Sequence, residues 1–361
     1  MTGKQIAFNG PGLAMEMQEA SIPELKAGEI LIRNLYTTLC GSDLHTYSGK
    51  RIELCPTILG HEIVGEIVKL SGDHPGVDHA GRPLTRGSMI TWSIFSSDPE
   101  SHYAVNGIPQ KGDNLFKYGH ALLTDKEVFH GGLAEYCILK AGTCILKIPD
   151  HLPLPVAATI NCAIATVAGS IRLAGDLQHK NVVIFGMGML GLTCAAMCKE
   201  AGASWIGAAD VHQKRLNDAL SFGATETILL SDGDDSLSKD ITENFSRKGA
   251  DVVFDMSGSP EAMETGLDML AIGGIAVWIG AVFKNRKLQI DAEKIIRRVL
   301  TIKGLHNYNY EDFVYALEFI SANWQQYPFE QTIEKEFDLD SVDEAFQYAL
   351  KHKPLRVGIR I

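Results

Sequence analysis

No run of lysine or arginine gathers anywhere along the 361 residues, and acidic side chains outnumber basic ones 44 to 33, a formal charge of −11. A chain of that sign without a basic stripe cannot neutralise phosphates along a duplex, so no nucleic-acid partner is expected. The opening MTGKQIAFNG lacks the apolar segment of a secretory leader and reads as an ordinary first strand, so a cytoplasmic location is expected. The most apolar windows, 156–174 and 182–198, contain Gly, Asn and Thr and break into strand, turn and helix patterns. No membrane span is expected from them. Cysteine is scarce and irregularly spaced, seven in all, an odd count that argues for reduced thiols and metal ligands rather than a disulfide framework. Internal repeats and low-complexity tracts are absent.

What is there divides in two, as a chain longer than one hydrophobic core supports should. Residues 1–152 carry short β-branched and aromatic runs at 29–35, 63–68, 89–92 and 134–139, bounded by Gly, Pro, Asp and Ser, the pattern of an antiparallel barrel or sandwich. A stretch from 96 to 129 has little periodicity and reads as a long surface excursion. From 153 to 302, apolar helical stretches alternate with short buried-strand runs at 182–185, 205–209, 251–254 and 275–279. That alternation predicts βαβ units and a parallel sheet covered on both faces. From 303 to 361 it gives way to amphipathic helices over 312–320 and 341–350 and a last strand over 355–361.

Gly186-Met187-Gly188-Met189-Leu190-Gly191 follows a strand and opens a helical run. In that position the glycines have a mechanism: a tight turn, close approach of backbone to a pyrophosphate, and helix-on-strand packing, with the helix N-terminus offering N–H groups to the phosphates. Asp210 stands 19 residues past Gly191 at the end of the next apolar strand, where an acid accepts hydrogen bonds from the adenosine ribose and repels a 2′-phosphate. NAD is therefore favoured over NADP, although His212, Lys214 and Arg215 follow closely enough to accommodate that phosphate.

Cys40, His61 and Cys162 are the candidate metal ligands: two thiols and an imidazole close on one Zn²⁺ and leave its fourth position open, as catalytic zinc sites do. Cys55, Cys137, Cys144, Cys194 and Cys198 read as packing residues, a free Cys being among the most buried residue types.

Taken together, Cys40-Gly41-Ser42-Asp43 with His45, Gly60-His61-Glu62, Asn161-Cys162, the 186–191 loop and Asp210 resemble the zinc-containing alcohol dehydrogenases of the medium-chain dehydrogenase/reductase superfamily. The resemblance covers nearly the whole chain. It implies an α/β protein with a GroES-like, β-rich catalytic domain built from 1–152 and 303–361, and a Rossmann NAD-binding domain over 153–302 with a doubly wound parallel sheet. It further implies that Cys40, His61 and Cys162 bind one catalytic zinc, with Glu62 an occasional alternative ligand and Asp43 orienting the His61 ring. Ser42 and His45 match the family's proton relay. Arg356 matches an arginine that contacts the cofactor pyrophosphate, Arg215 flanks the adenosine ribose, and Ile279 to Val282 with Lys303 to Leu305 lie along the nicotinamide.

Relatives often hold a second, structural zinc with four cysteines in the excursion after Trp92. No cysteine occurs between 92 and 120, so that zinc is not expected, and Phe95, Tyr103, Leu115, Phe116 and Tyr118 are expected to pack the lobe instead. The runs around Cys40 to Arg51, Ile58 to Gly65 and Leu115 to His120 resemble a subgroup associated with phosphonate breakdown, in which Lys50, Arg51 or Lys117 would meet an anionic head group. The expected reaction is reversible oxidation of a primary or secondary alcohol, a polyol or hydroxyphosphonate included, to an aldehyde or ketone, by a homodimer or homotetramer. The apolar strand over 274–280 is the expected dimer contact. The rival readings are a zinc-free reductase of the same superfamily and a non-catalytic NAD-binding protein.

Overall fold

In a computed structural model that describes residues 1–230 and 249–361, the strand Ile30–Leu39 is the axis of the first half of the chain. Its side chains alternate between two apolar cores: Leu31 and Leu39 join Phe8, Ile58, Leu133 and Phe346 on one face, while Ile30 and Ile32 join Ile63, Ile67, Trp92 and Tyr118 on the other. Glu62–Leu70 and Tyr136–Leu139 pair with it antiparallel, and so does the C-terminal strand Arg356–Arg360. These strands, with Met89–Ser96, Phe116–Lys117, Thr143–Lys147 and Ile333–Asp338, form an eight-stranded sheet.

The second half has six parallel strands in the order Glu226–Leu229, Trp205–Asp210, Asn181–Phe185, Ala250–Asp255, Leu270–Trp278, Thr301–Gly304. Val182 to Phe185 are all buried, as a parallel strand covered on both faces requires. Strand order reverses between Asn181–Phe185 and Ala250–Asp255, the switch point at which doubly wound sheets hold their ligands.

The chain separates into two compact units, residues 1–165 with 309–361, and residues 166–308. These limits lie beyond the 152 and 302 read from sequence. The helix Leu154–Ala158 packs on Ile30–Leu39 and Glu62–Leu70 and so belongs with the first sheet.

Three expectations change. The window 156–174 is not broken into strand and turn but lies in one helical stretch, Leu154–Ala174, long and apolar enough by composition to cross a membrane. Of its most apolar window 83% is buried inside the protein, which is how the core helix of a folded domain passes the same test. Tyr103 and Leu115 do not pack the 96–129 excursion; they are 50% and 37% exposed, whereas Phe95 and Tyr118 are fully buried. Phe95 stacks on Tyr310 of the C-terminal segment, 5.8 Å between centroids, a partner too distant in sequence to be foreseen. Lastly, the strand over 274–280 begins at Leu270 and has neighbours on both sides, so it has no free edge to offer a second subunit; among the described residues the edge strands are Thr301–Gly304 and Glu226–Leu229.

Candidate active site

Three strand ends converge on Cys40. Ile30–Leu39 stops there because Cys40 caps the short helix Gly41–Tyr47, with Asp43 in its first turn accepting the Cys40 N–H at 2.9 Å. The register Thr38 opposite Glu62 brings His61 and Glu62 alongside, and Val357 opposite Leu39 brings Arg356 alongside from the other edge. Gly60, at φ +87°, turns the chain into His61; a Cβ there would press on Gly132 backbone at 3.1 Å.

Cys162 arrives from a π-helical turn, Ile160–Ile164, of the kind that recurs at functional sites because the extra residue re-aims a side chain. Asn161 pins that turn: its Nδ2 donates to the carbonyls of His61 at 3.0 Å and Trp92 at 2.9 Å. Cys40 Sγ, a ring nitrogen of His61 and Cys162 Sγ thereby lie within 4.8 Å of one another. Asp43, fully buried, accepts from His61 Nδ1 at 3.2 Å and from the Gly60 N–H at 3.2 Å. Nδ1 is thus occupied, which assigns Nε2 as the nitrogen turned toward the thiols.

The electrostatics suit a cation. The Cys40 thiol is held well below its ordinary value by a hydrogen bond from Cys162, helped by Arg356 and His61 and opposed by burial. Cys162 is driven the other way by the same bond. Burial pulls the His61 ring down, but the charge of Asp43 and its hydrogen bond outweigh it, and the net is well above the usual imidazole value. Two thiols sharing a proton beside an imidazole fixed by a carboxylate are the donor set of a three-residue catalytic zinc site, and cation binding releases the shared proton.

Glu62 and Arg356 pair with each other beside the cluster. The Glu62 carboxylate is not among the clustered donors; it is fully buried, hydrogen-bonded by Thr38 Oγ1 and gripped by Arg356 through Nε at 2.7 Å and Nη2 at 2.8 Å. Burial raises its pKa, and the guanidinium opposes that rise. Arg356 is 7% exposed, and Nη2 also reaches Cys40 Sγ at 3.6 Å while Nη1 donates to the Leu355 carbonyl at 2.9 Å. Its donors are thus engaged by Glu62, Cys40 and the Leu355 carbonyl.

Ser42 Oγ lies 3.3 Å from His61 Nε2, on the face where the thiols meet. His45, one turn further along the helix, is partly exposed, and burial, then Lys50, lower its pKa. Of the flagged cations, Lys50 is exposed, Arg51 pairs with Glu53 at 2.5 Å, and Lys117 is half-buried. His120 is a residue the sequence reasoning did not single out: its ring sits 5.2 Å from that of His61.

In the second unit, Gly186 at φ +88° turns the chain under Ser257, and a Cβ on Gly191 would meet the Gly186 carbonyl at 2.0 Å. Gly188 has nothing within 4 Å of its Cβ position and caps the helix Met189–Glu200, leaving open space where N–H groups of Met189 and Leu190 begin the helix. Asp210 is in the predicted place but turned inward. It is 4% exposed and its oxygens accept the N–H groups of Met187 at 2.6 Å and His212 at 2.8 Å, with Arg215 4.0 Å away. Ile279 is buried and its N–H is bonded to Asp255 O.

Residues 26–150 match the family described as "Alcohol dehydrogenase GroES-like domain", and residues 190–322 match "Zinc-binding dehydrogenase". The "Probable D-xylulose reductase A" of Emericella nidulans is 30% identical over 336 residues, covering 89% of this chain and 87% of its own. The chain belongs to the zinc-type medium-chain alcohol dehydrogenase family. A D-arabitol-phosphate dehydrogenase of Enterococcus avium is 27% identical over 364 residues, 99% of this chain and 97% of its own. A crystal structure of an alcohol dehydrogenase from Thermotoga maritima shares the fold, with a TM-score of 0.92 at 23% identity over 100% of this chain and 99% of that one. Members of the family with these names act on alcohol or polyol carbons, and Cys40, His61 and Cys162 are the group among the described residues whose donor atoms could hold one metal ion.

Proposed function

We propose that this chain is a zinc-dependent alcohol dehydrogenase that moves hydride reversibly between the carbinol carbon of a small alcohol or polyol and NAD. The observation that carries the reading is the gathering of Cys40, His61 and Cys162 within 4.8 Å, from three separate stretches of chain. Zinc held there supplies Lewis acidity, lowering the pKa of an alcohol and, in reverse, polarising a carbonyl. The protein does the rest. Asp43 holds His61 in one tautomer, and the Arg356–Glu62 pair sets a positive charge against Cys40.

Ser42 Oγ, 3.3 Å from His61 Nε2, would take the alcohol proton and pass it by way of the nicotinamide ribose to His45 and solvent. Gly188 and the N-terminus of Met189–Glu200 would hold the pyrophosphate, and Asp210, although its oxygens accept the N–H groups of Met187 and His212, puts a negative charge at the strand end where a 2′-phosphate would be repelled, which favours NAD over NADP. The seven free cysteines suit the reducing cytoplasm. A homo-oligomer remains the proposed assembly. A zinc-free reductase of the same superfamily has no use for the clustered thiols.

A screen of small alcohols, polyols and their phosphates against NAD and NADP, followed by nicotinamide absorbance, tests this. Oxidation of at least one of them with NAD preferred is the expected result; a zinc-loaded protein that oxidises none, or works only with NADP, contradicts it.

A further inference from the structure

Two of the three clustered donors are tied together by a side chain that is not itself a donor. Asn161 is fully buried, and its Nδ2 spends both hydrogens on main-chain carbonyls, that of His61 at 3.0 Å and that of Trp92 at 2.9 Å. The first of these bonds joins the residue next to Cys162 to the backbone of His61 across 100 residues of sequence. Asp43 does the matching job for the other pair, accepting the Cys40 N–H at 2.9 Å and facing His61 Nδ1 at 3.2 Å. His61 is therefore the fixed point, and Cys40 and Cys162 are each held to it by one buried polar side chain.

The two tethers hold different backbones. Asp43 lies in the first turn of a regular helix, Gly41–Tyr47. Asn161 lies in the π-helical turn Ile160–Ile164, which is closed by the Ile164 N–H on the Thr159 carbonyl at 3.2 Å and packs against the strands Glu62–Leu70 and Met89–Ser96 and the helix Tyr310–Asn323. A π-turn is rare, and rewinding it to α geometry moves the side chains it carries around the helix axis. Ile160, Ala163 and Ile164 are buried and apolar, so they fill space without fixing the turn's rotation; the directional bonds to the strands come from Asn161.

We propose that Asn161 is the positioning residue of the metal site: it sets the reach of Cys162 Sγ toward His61 and Cys40, so that a metal ion is held by two thiolates rather than one. This rests on the metal-site reading above. Released from the His61 and Trp92 carbonyls, the turn rewinds and carries Sγ off the cluster, leaving Cys40 and His61, still held by Asp43, as a two-residue site. The two carbonyls left unpaired also cost stability, so the readout that separates positioning from folding is the coordination of the metal.

The test uses full-length wild type, Asn161→Ala, Asn161→Ser and, as a packing change in the same turn, Ile160→Val, each stripped of metal with a chelator. Zinc Kd is measured by competition with a chromogenic chelator. Co²⁺ loading is followed by the thiolate-to-cobalt charge-transfer band, whose intensity scales with the number of coordinating thiolates. The expected results are a zinc Kd weakened about 10- to 100-fold in Asn161→Ala, with a cobalt band falling toward half of the wild-type intensity, and a smaller loss in Asn161→Ser, which keeps one donor. Ile160→Val should lower the thermal midpoint and keep the wild-type Kd and band. A folded Asn161→Ala with a wild-type Kd, or with a full two-thiolate band, overturns the proposal, and so does an Ile160→Val that loses as much affinity as Asn161→Ala. Failure of both Asn161 variants to fold while Ile160→Val folds overturns it too, since Asn161 then serves the fold and not the ligand. Wild-type protein that binds neither zinc nor Co²⁺ overturns the metal-site reading itself and the proposal with it, a result distinct from all of these.

Discussion

Arg356 shows how much a single side chain can owe to register. Its guanidinium grips Glu62 with two donors and touches Cys40 because Val357 pairs with Leu39 and Thr38 pairs with Glu62, contacts spanning some three hundred residues of sequence. Nothing local in Pro354-Leu355-Arg356 announces that, which is why its partners were not legible in the sequence. Cys40, His61, Asp43 and Cys162 were, because short motifs carry them and the metal's demand for S and N donors restricts the choices. Replacing Arg356 by Ala strands a buried carboxylate and should destabilise the protein by about 3–5 kcal/mol. Adding Glu62→Gln to that variant should recover part of the loss. Urea unfolding of wild type, both single variants and the double variant reads the difference; a double variant no more stable than Arg356→Ala contradicts the coupling.

At the scale of elements, the turn Gly186 to Gly191 separates two roles that one motif conflates. Gly191 is required for packing, its Cβ position lying 2.0 Å from a backbone carbonyl, whereas Gly188 faces open space. Gly191→Ala should therefore lower the thermal midpoint, and Gly188→Ala should leave it within a degree or two while weakening NADH binding about tenfold or more, by closing the approach to the pyrophosphate. Fluorescence titration with NADH checks the second; unchanged affinity in Gly188→Ala contradicts the placement. The strands and helices of this unit were legible because hydrophobic runs and glycines are local signals. The π-helical turn around Cys162 was not, since it depends on Asn161 reaching the carbonyls of His61 and Trp92.

Asp78 provides a pH-dependent staple of the same scale. It is 4% exposed and accepts the N–H groups of Ala80, Arg82 and Lys147 at 3.0, 2.8 and 2.9 Å, and Arg82 Nε at 2.7 Å. Burial raises its pKa, but the backbone N–H groups of Lys147 and Arg82 and the charge of Arg82 outweigh it, and the net lies below the ordinary carboxylate value. A folded-state pKa below the unfolded one stabilises at neutral pH and loses that contribution as pH falls through the folded value. Asp78→Asn should cost about 1–3 kcal/mol at pH 7, and the gap to wild type should shrink below about pH 4. Chemical unfolding at pH 7 and pH 3 measures both; a gap that does not change between them contradicts the assignment.

For the whole molecule, composition separated a β-rich part from an alternating α/β part, and the structure has a mixed sheet and a six-stranded parallel sheet in two compact units. The limits between them shifted because helix Leu154–Ala158 is held by packing on the first sheet rather than by any break in composition. The C-terminal segment joins that sheet through Arg356–Arg360, which brings Arg356 to the site. Everything proposed for this chain depends on one metal held by three ligands from distant stretches. Metal analysis of the purified protein, wild type beside Cys162→Ala, tests that most directly. One zinc per chain in the wild type, lost together with alcohol oxidation in Cys162→Ala, is the predicted result; two zincs per chain, or one that survives the substitution, contradicts it.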